Sequence, residues 1–234
     1  MASAESPALL LFDIDGTLLT SGGAGERALR QAVQDCFAVE NGTQGIEIAG
    51  RTDSGIVRQI MRRLGVEATD ENIARFFESY LQHLGRLLPE TEGRLLPGVT
   101  SLLETLKARN DVVLGLLTGN LARGAELKLL HFGVWHFFGF GAYADDHHER
   151  NELGRFAMQR ALEKHGIEIP PTRTFVIGDT PHDIACGRAF GARTVAVATG
   201  IHPVADLAPH QPDFLFHDLS DTTAVLRAFG LSTP

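Results

Sequence analysis

The chain has 234 residues, of which 44% are hydrophobic and 21% charged. This is ordinary globular composition, with room for one large domain or a domain with an insert. The formal net charge of −8 speaks against nonspecific binding to nucleic acid or to an anionic membrane. It leaves open an anionic small molecule as partner, because a bound metal and local donors can dominate a small site.

In chain order, the start MASAESPALLLF carries no basic leader and reads as no signal peptide. The apolar run Leu9 to Phe12 then ends at Asp13, with Asp15, Gly16 and Thr17 following. Two acids spaced i, i+2 at a strand end stand at the carboxyl edge of a sheet, where open α/β sheets hold ligands. Unpaired buried charge is costly, so such a pair needs a metal, a proton or a phosphate beside it. After a flexible stretch, Gly22 to Gly25, apolar residues at helical spacing predict helices over about Glu26 to Val39 and from Thr52-Asp53 to Gly65. A third is predicted from Thr69-Asp70-Glu71 past Leu84. Gly45 to Ala49 is a candidate short extended piece, and Pro89 to Pro97 reads as a return linker.

From Gly98 onward the pattern alternates. Strands are predicted at Val112 to Leu117, Phe137 to Tyr143 (weaker), Thr174 to Ile177, Thr194 to Ala198 and Phe214 to Phe216. Helices are predicted at Val99 to Ala108, Leu121 to His131, Glu152 to His165 and His182 to Phe190. Strand–helix alternation implies a parallel, Rossmann-like α/β sheet with helices on both faces. Its right-handed crossovers bring the strand C-termini to one edge. Cys36 and Cys186, the two cysteines, read as reduced thiols, which fits a cytoplasmic location. No stretch is long and apolar enough to span a bilayer.

The second apolar run of the alternating part ends in Thr118-Gly119-Asn120. The run at Thr174 ends in Gly178-Asp179-Thr180, with Asp183 four residues after Asp179. With Asp13-x-Asp15-Gly-Thr, three strand ends carry acidic or hydroxylated residues in a fixed order. This ordered set resembles the haloacid dehalogenase superfamily, in its phosphoglycolate-phosphatase-like branch with a helical cap. The resemblance covers nearly the whole chain. It implies a core domain of residues 1–18 and 96–234, and a helical cap domain of residues 19–95.

The resemblance also implies roles. Asp13 is the expected nucleophile, forming an aspartyl-phosphate. Asp15 is the expected general acid for the leaving group, then base for the attacking water. Mg²⁺ is the expected cofactor, held by the Asp13 side chain, the Asp15 backbone carbonyl and Asp179, an all-oxygen set that suits it. Asp183 is either a further or water-mediated metal partner or a helix-start cap. Thr118 and the following backbone N–H groups, with Gly119 and Asn120, are expected to bind phosphoryl oxygens.

The family also uses a cation between the second and last motifs, usually a lysine. Lys107 precedes the second motif, while Lys128 and Lys164 lie well along predicted helices, away from the expected loop. Arg150, in the loop after the third strand, is the candidate replacement. The competing reading pairs it with Asp145, Asp146 or Glu149 on the surface. His147-His148 lacks partners at metal-ligand spacing and reads as a solvated loop. Trp135 and its phenylalanine neighbours read as core.

In the cap, Arg51 is the candidate for holding a second anion on the substrate, and Thr52 and Asp53 read mainly as a helix cap. The expected activity is hydrolysis of a small phosphoglycolate-like phosphate monoester. A dehalogenase would not retain Asp15. A phosphomutase of the same fold, or a non-catalytic sensor or partner-binding protein, are the alternatives.

Overall fold

Strand β1 (Ala8–Phe12) is apolar at every position and buried at every position. A strand covered on both faces reads as such a continuous run, because neither face meets water. The computed structural model describes residues 6–233. Residues 1–5 and 234, with the expectations that fall on the start of the chain, lie outside the described residues.

After β1 come β2 (Leu19–Thr20), α1 (Ala24–Phe37), α2 (Asp53–Leu64), α3 (Asp70–Leu87), β3 (Arg94–Leu95) and α4 (Val99–Lys107). These are followed by β4 (Val112–Leu117), α5 (Ala122–His131), β5 (Gly141–Ala142), α6 (Leu153–His165) and β6 (Thr174–Gly178). The chain closes with α7 (Pro181–Ala189), β7 (Arg193–Val197), α8 (Val204–Leu207), β8 (Phe214–Phe216) and α9 (Thr222–Ala228). One six-stranded sheet has the order β5-β4-β1-β6-β7-β8, and every pairing in it is parallel. This is the α/β architecture expected from the alternation.

Side chains alternate across β1 and build two cores. Leu10 and Phe12 pack with Leu102, Leu103, Leu226 and Phe229 of α4 and the α9 region. Leu9 and Leu11 face the opposite way, onto Leu153, Ala157 and Cys186 of α6 and α7. Each fully buried side chain of this size contributes roughly 1.5–3 kcal/mol, so β1 is pinned by both layers. Its register places Phe12 beside Leu116 and Ile177, so the residues that follow β1, β4 and β6 emerge side by side.

Helices α1 to α3 hold a separate core around Leu29, Ile56, Ile60, Phe76, Tyr80 and Leu84. Thr52 caps α2 by accepting from the Gly55 N–H at 3.0 Å, and Thr69 caps α3 by accepting from Asn72 at 3.2 Å. The two chain segments joining this block to the sheet pair as an antiparallel ribbon, Leu19 with Leu95 and Thr20 with Arg94.

The structure departs from the sequence pattern in three places. The strand expected over Phe137 to Tyr143 is reduced to Gly141–Ala142. Trp135–Phe137 instead form a 3₁₀ turn, and Phe138 packs edge-on against Phe12. The stretch Gly45 to Ala49 forms no strand. The short helices α8 and α9 were not anticipated, because four and seven residues are too few to display a helical period.

Candidate active site

Asp13 continues the sheet for one residue, its N–H donating to the Ile177 carbonyl at 2.9 Å. The chain then turns at Gly16, with φ at +79°, a conformation that glycine adopts without steric cost. A Cβ at Gly16 would overlap the Asp179 carboxylate, as would one at Gly200. These two glycines therefore let backbone close in on Asp179. The Thr17 hydroxyl donates to Asp179 Oδ1 at 3.2 Å.

The residues after β6 form the start of α7. Thr180 is its N-cap and Pro181 its first residue, the position where proline costs no hydrogen bond. Asp183 closes a capping box: its Oδ2 accepts from the Thr180 N–H at 3.0 Å and from the Thr180 hydroxyl at 2.7 Å. Its Oδ1 accepts from Arg150 Nη2 at 2.5 Å. Both oxygens of Asp183 are thus engaged by protein donors, and its side chain anchors Arg150 and the helix start.

Arg150 opens a short 3₁₀ turn after β5. Its Nη2 lies 3.0 Å from Asp13 Oδ1, and its Nη1 donates to the Gly50 carbonyl at 3.2 Å. Two of the three acids named as rival surface partners are occupied elsewhere, and the third, Glu149, is exposed near His148. Asp146 pairs with Arg160 at 2.6 Å, and Asp145 accepts from the Ala122 N–H at 2.6 Å.

Asp13, Asp179, Asp183 and Arg150 are all buried, and three carboxylates face one guanidinium. Burial pushes the Asp13 carboxyl up to about 6; Arg150 opposes the rise, while Asp183 and Asp15 add to it. Asp179 is driven well above the usual carboxylate range by burial and then by Asp183 and Asp13. For Arg150, burial works against the charge, but Asp183 and Asp13 outweigh it and hold the guanidinium above its ordinary value.

Carboxylate oxygens of Asp13, Asp179 and Asp183 lie within 4.8 Å of one another. An excess of buried negative charge in an all-oxygen set is the environment that a hard divalent cation fits. With Asp183 spent on Arg150 and Thr180, Asp13 and Asp179 are the side chains with oxygen atoms left for a metal.

Thr118 and Asn120 follow β4 and are buried. Asn120 Nδ2 donates to Thr118 Oγ1 and to Asp15 Oδ2, each at 2.9 Å. Lys128 lies along its helix and away from the loop after the third strand, as expected, but its side chain reaches the site. Its Nζ donates to Asp15 Oδ2 at 2.6 Å and to Asn120 Oδ1 at 2.7 Å. The reason lies in α5, whose buried stripe is Gly124, Ala125, Lys128 and Leu129. That stripe faces inward, so the long side chain runs along the helix toward the strand end. A lysine on an otherwise apolar stripe was the available signal.

The helical block closes over this edge. A Cβ at Gly119 would collide with the Arg51 carbonyl, and the Asp53 N–H donates to the Gly119 carbonyl at 2.7 Å. The Thr52 hydroxyl donates to the His148 carbonyl at 2.5 Å and the Ser54 hydroxyl to the Ala144 carbonyl at 2.8 Å. The cap of α2 is Thr52 alone; Asp53, read with it as a helix cap, is the first residue of the helix, is buried, and its Oδ2 accepts from the Leu121 N–H at 2.9 Å. Arg51 lines the cavity, but its half-exposed guanidinium pairs with Glu47 at 2.6 Å. His147 and His148 stack on each other, centroids 4.6 Å apart. The cavity between the helical block and the sheet edge holds about 480 Å³ and is walled by Asp13, Asp15, Asn120, Lys128, Asp179, Ile56 and Tyr80, among others.

A parallel α/β sheet with carboxylates, a hydroxyl and a buried cation at its carboxyl edge, roofed by helices, defines a class of hydrolase. The haloacid dehalogenase-like hydrolase family matches residues 10–197, and the chain belongs to that family; it is an enzyme. The chain is 26% identical over 227 residues to a probable phosphatase, IndB, of Dickeya dadantii, covering 94% of each. It is 27% identical over 231 residues to phosphoglycolate phosphatase 1 of Pseudomonas aeruginosa, covering 92% of this chain and 78% of the relative. A hydrolase from Pseudomonas syringae superposes with a TM-score of 0.72 at 23% identity, covering 95% of this chain and 98% of its own, a likeness of fold.

Proposed function

We propose that the chain is a Mg²⁺-dependent phosphatase that hydrolyses a small organic phosphate monoester, of the phosphoglycolate kind, through an aspartyl-phosphate. The observation that carries the reading is the buried group of Asp13, Asp179 and Asp183 around Arg150 at the strand ends. Family membership and the phosphatases among its relatives support it.

In this reading the Asp13 carboxylate attacks phosphorus and the ester oxygen departs with a proton from Asp15. Water, deprotonated by Asp15, then attacks the aspartyl-phosphate, which releases inorganic phosphate and restores Asp13. Arg150 balances the charge gathered at Asp13, and Thr118 with the N–H groups of Gly119 and Asn120 steadies the phosphoryl oxygens. Asp13, Asp179 and the Asp15 carbonyl are the groups that would hold Mg²⁺, with Asp183 fixing Arg150 beside them. When bound, the metal keeps Asp13 ionised and neutralises phosphoryl charge. Helices α1 to α3 act as a cap that excludes water. Its Arg51, held on Glu47 through Nε and Nη2, is the cap residue that would meet a substrate anion.

No helix among the described residues is long and apolar enough to cross a membrane, and Cys36 and Cys186 are free thiols. Both fit a cytoplasmic enzyme acting on a diffusible substrate. The test is phosphate release across a panel of small phosphate esters, with Mg²⁺ and with chelator, against Asp13→Asn as control. Mg²⁺-dependent release abolished in the variant is expected. Release that survives chelation or the substitution overturns the reading.

A further inference from the structure

Lys128 is buried in the cavity wall, and holding Asp15 and Asn120 does not exhaust its ammonium. Its side chain is 4% exposed, whereas Asp15, which it pairs with, is 41% exposed. A lysine ammonium has three donors. Two are used, on Asp15 Oδ2 and Asn120 Oδ1. Across the gap stands Gly25 at the start of α1, where even an added Cβ would sit 3.6 Å from Nζ. The cap thus presents no side chain at that point, and Gly25 and Lys128 both line the cavity. Among the charged groups that line the cavity from the cap and its connecting ribbon are Glu26, Arg51, Asp53 and Arg94, and the Asp53 carboxylate is turned to the Leu121 N–H.

We propose that Lys128 is the residue that reads the leaving half of the substrate, by binding an anion, a carboxylate or a second phosphate, placed one or two carbons from the ester oxygen. This rests on the phosphatase reading above. Asp15 is the group that protonates the departing oxygen, so whatever that oxygen is attached to lies beside the Asp15 carboxylate. Lys128 is the cation hydrogen-bonded to that carboxylate. A buried ammonium with a donor to spare binds a substrate anion by a charge-assisted hydrogen bond that a solvated surface lysine cannot match. Arg51 is less suited, being half exposed and already paired with Glu47.

The test compares matched esters, 2-phosphoglycolate against ethyl phosphate and 3-phosphoglycerate against glycerol 3-phosphate, on wild type, Lys128→Met and Lys128→Arg. Lys128→Met loosens Asp15, so all esters slow. The preference in kcat/KM for the anionic member should in addition fall about 10- to 100-fold, largely through KM. Lys128→Arg should restore part of the preference. A wild type with no preference in either pair, or equal losses on both members, overturns the proposal.

Calorimetric binding of the same esters to Asp13→Asn, with and without Lys128→Met, gives a readout free of turnover. Weakened binding of the anionic member alone supports the subsite even if wild type proves not to be a phosphatase. Unchanged relative binding overturns it even if wild type is one.

Discussion

Two cation–carboxylate groups stand at the same sheet edge and differ in one respect. Arg150 meets Asp13 and Asp183 where all three side chains are at most 6% exposed. Lys128 is as deeply buried as Arg150, but its partner Asp15 is 41% exposed. In the first group the charges have only each other, and burial pushes the Asp13 carboxyl up to about 6. In the second the carboxylate keeps access to water and to whatever enters the cavity. This is the division expected of a nucleophile, which must be desolvated and directed, and a proton-transfer group, which must exchange protons with substrate and solvent.

The largest effect expected is at the buried group. Asp13→Asn is nearly isosteric but supplies no attacking carboxylate, so turnover should vanish while circular dichroism and melting show an intact fold. Activity near wild type, with contaminating phosphatase excluded, would erase the distinction between the two acids. Asp15→Asn should cost about 10²–10⁴-fold, the usual worth of general acid–base catalysis. The loss should shrink for esters with good leaving groups when the first step limits the rate. A loss independent of leaving group in that step would remove Asp15 from proton transfer.

The next effect separates the two cations. Arg150→Ala leaves Asp13 and Asp183 as uncompensated buried charges, a change that typically costs about 3–5 kcal/mol. Urea unfolding without metal should show a loss of that order together with severely reduced turnover, and Arg150→Lys should keep part of both. Removing Lys128 leaves a carboxylate that water can reach, so Lys128→Met should cost markedly less stability. Equal destabilisation by the two substitutions would break the comparison.

The strand ends were legible in the sequence because three apolar runs ending at Asp13, Thr118 and Gly178-Asp179 form an ordered set, although each alone also reads as a turn or a cap. Arg150 was legible by position, since it follows the third strand in the alternating half. Lys128 was not, because along the chain it stands well past the strand end at Leu117, inside α5. A lysine at the seventh position of α5 reaches the edge only because that face of the helix is turned inward. The dual work of Asp183, holding both Thr180 and Arg150, needed the third dimension, as did the diversion of Arg51 to Glu47. The helical block was visible as a change of period, but its contact with the Gly119 loop was not. That contact joins the Asp53 N–H to the Gly119 carbonyl and the Asp53 carboxylate to the Leu121 N–H, and the loop's half of it is backbone, which carries no signature of residue type.

The smallest effect concerns Asp53, which resembles Asp13 in burial but lies near Lys128. Burial pushes its carboxyl up to about 6, against the pull of Lys128 and of the Leu121 N–H. A carboxyl whose folded pKa is raised above the ordinary 3.8 takes up its proton earlier in the folded chain than in the unfolded one. The ionised form therefore weakens the fold above pH 6. That penalty is relieved as pH falls from about 6 toward 4. Asp53→Asn mimics the protonated state and keeps an oxygen for the Leu121 N–H. It should raise stability at pH 7 by on the order of 2 kcal/mol, with the gain fading as pH approaches 4. Urea unfolding of wild type and variant at pH 7.0 and 4.5 reads the difference. A variant less stable than wild type at pH 7 would mean that the charge on Asp53 strengthens the junction of cap and sheet. The burial that distinguishes Asp13 from Asp15 would then fail to predict the behaviour of a third carboxylate in the same cavity.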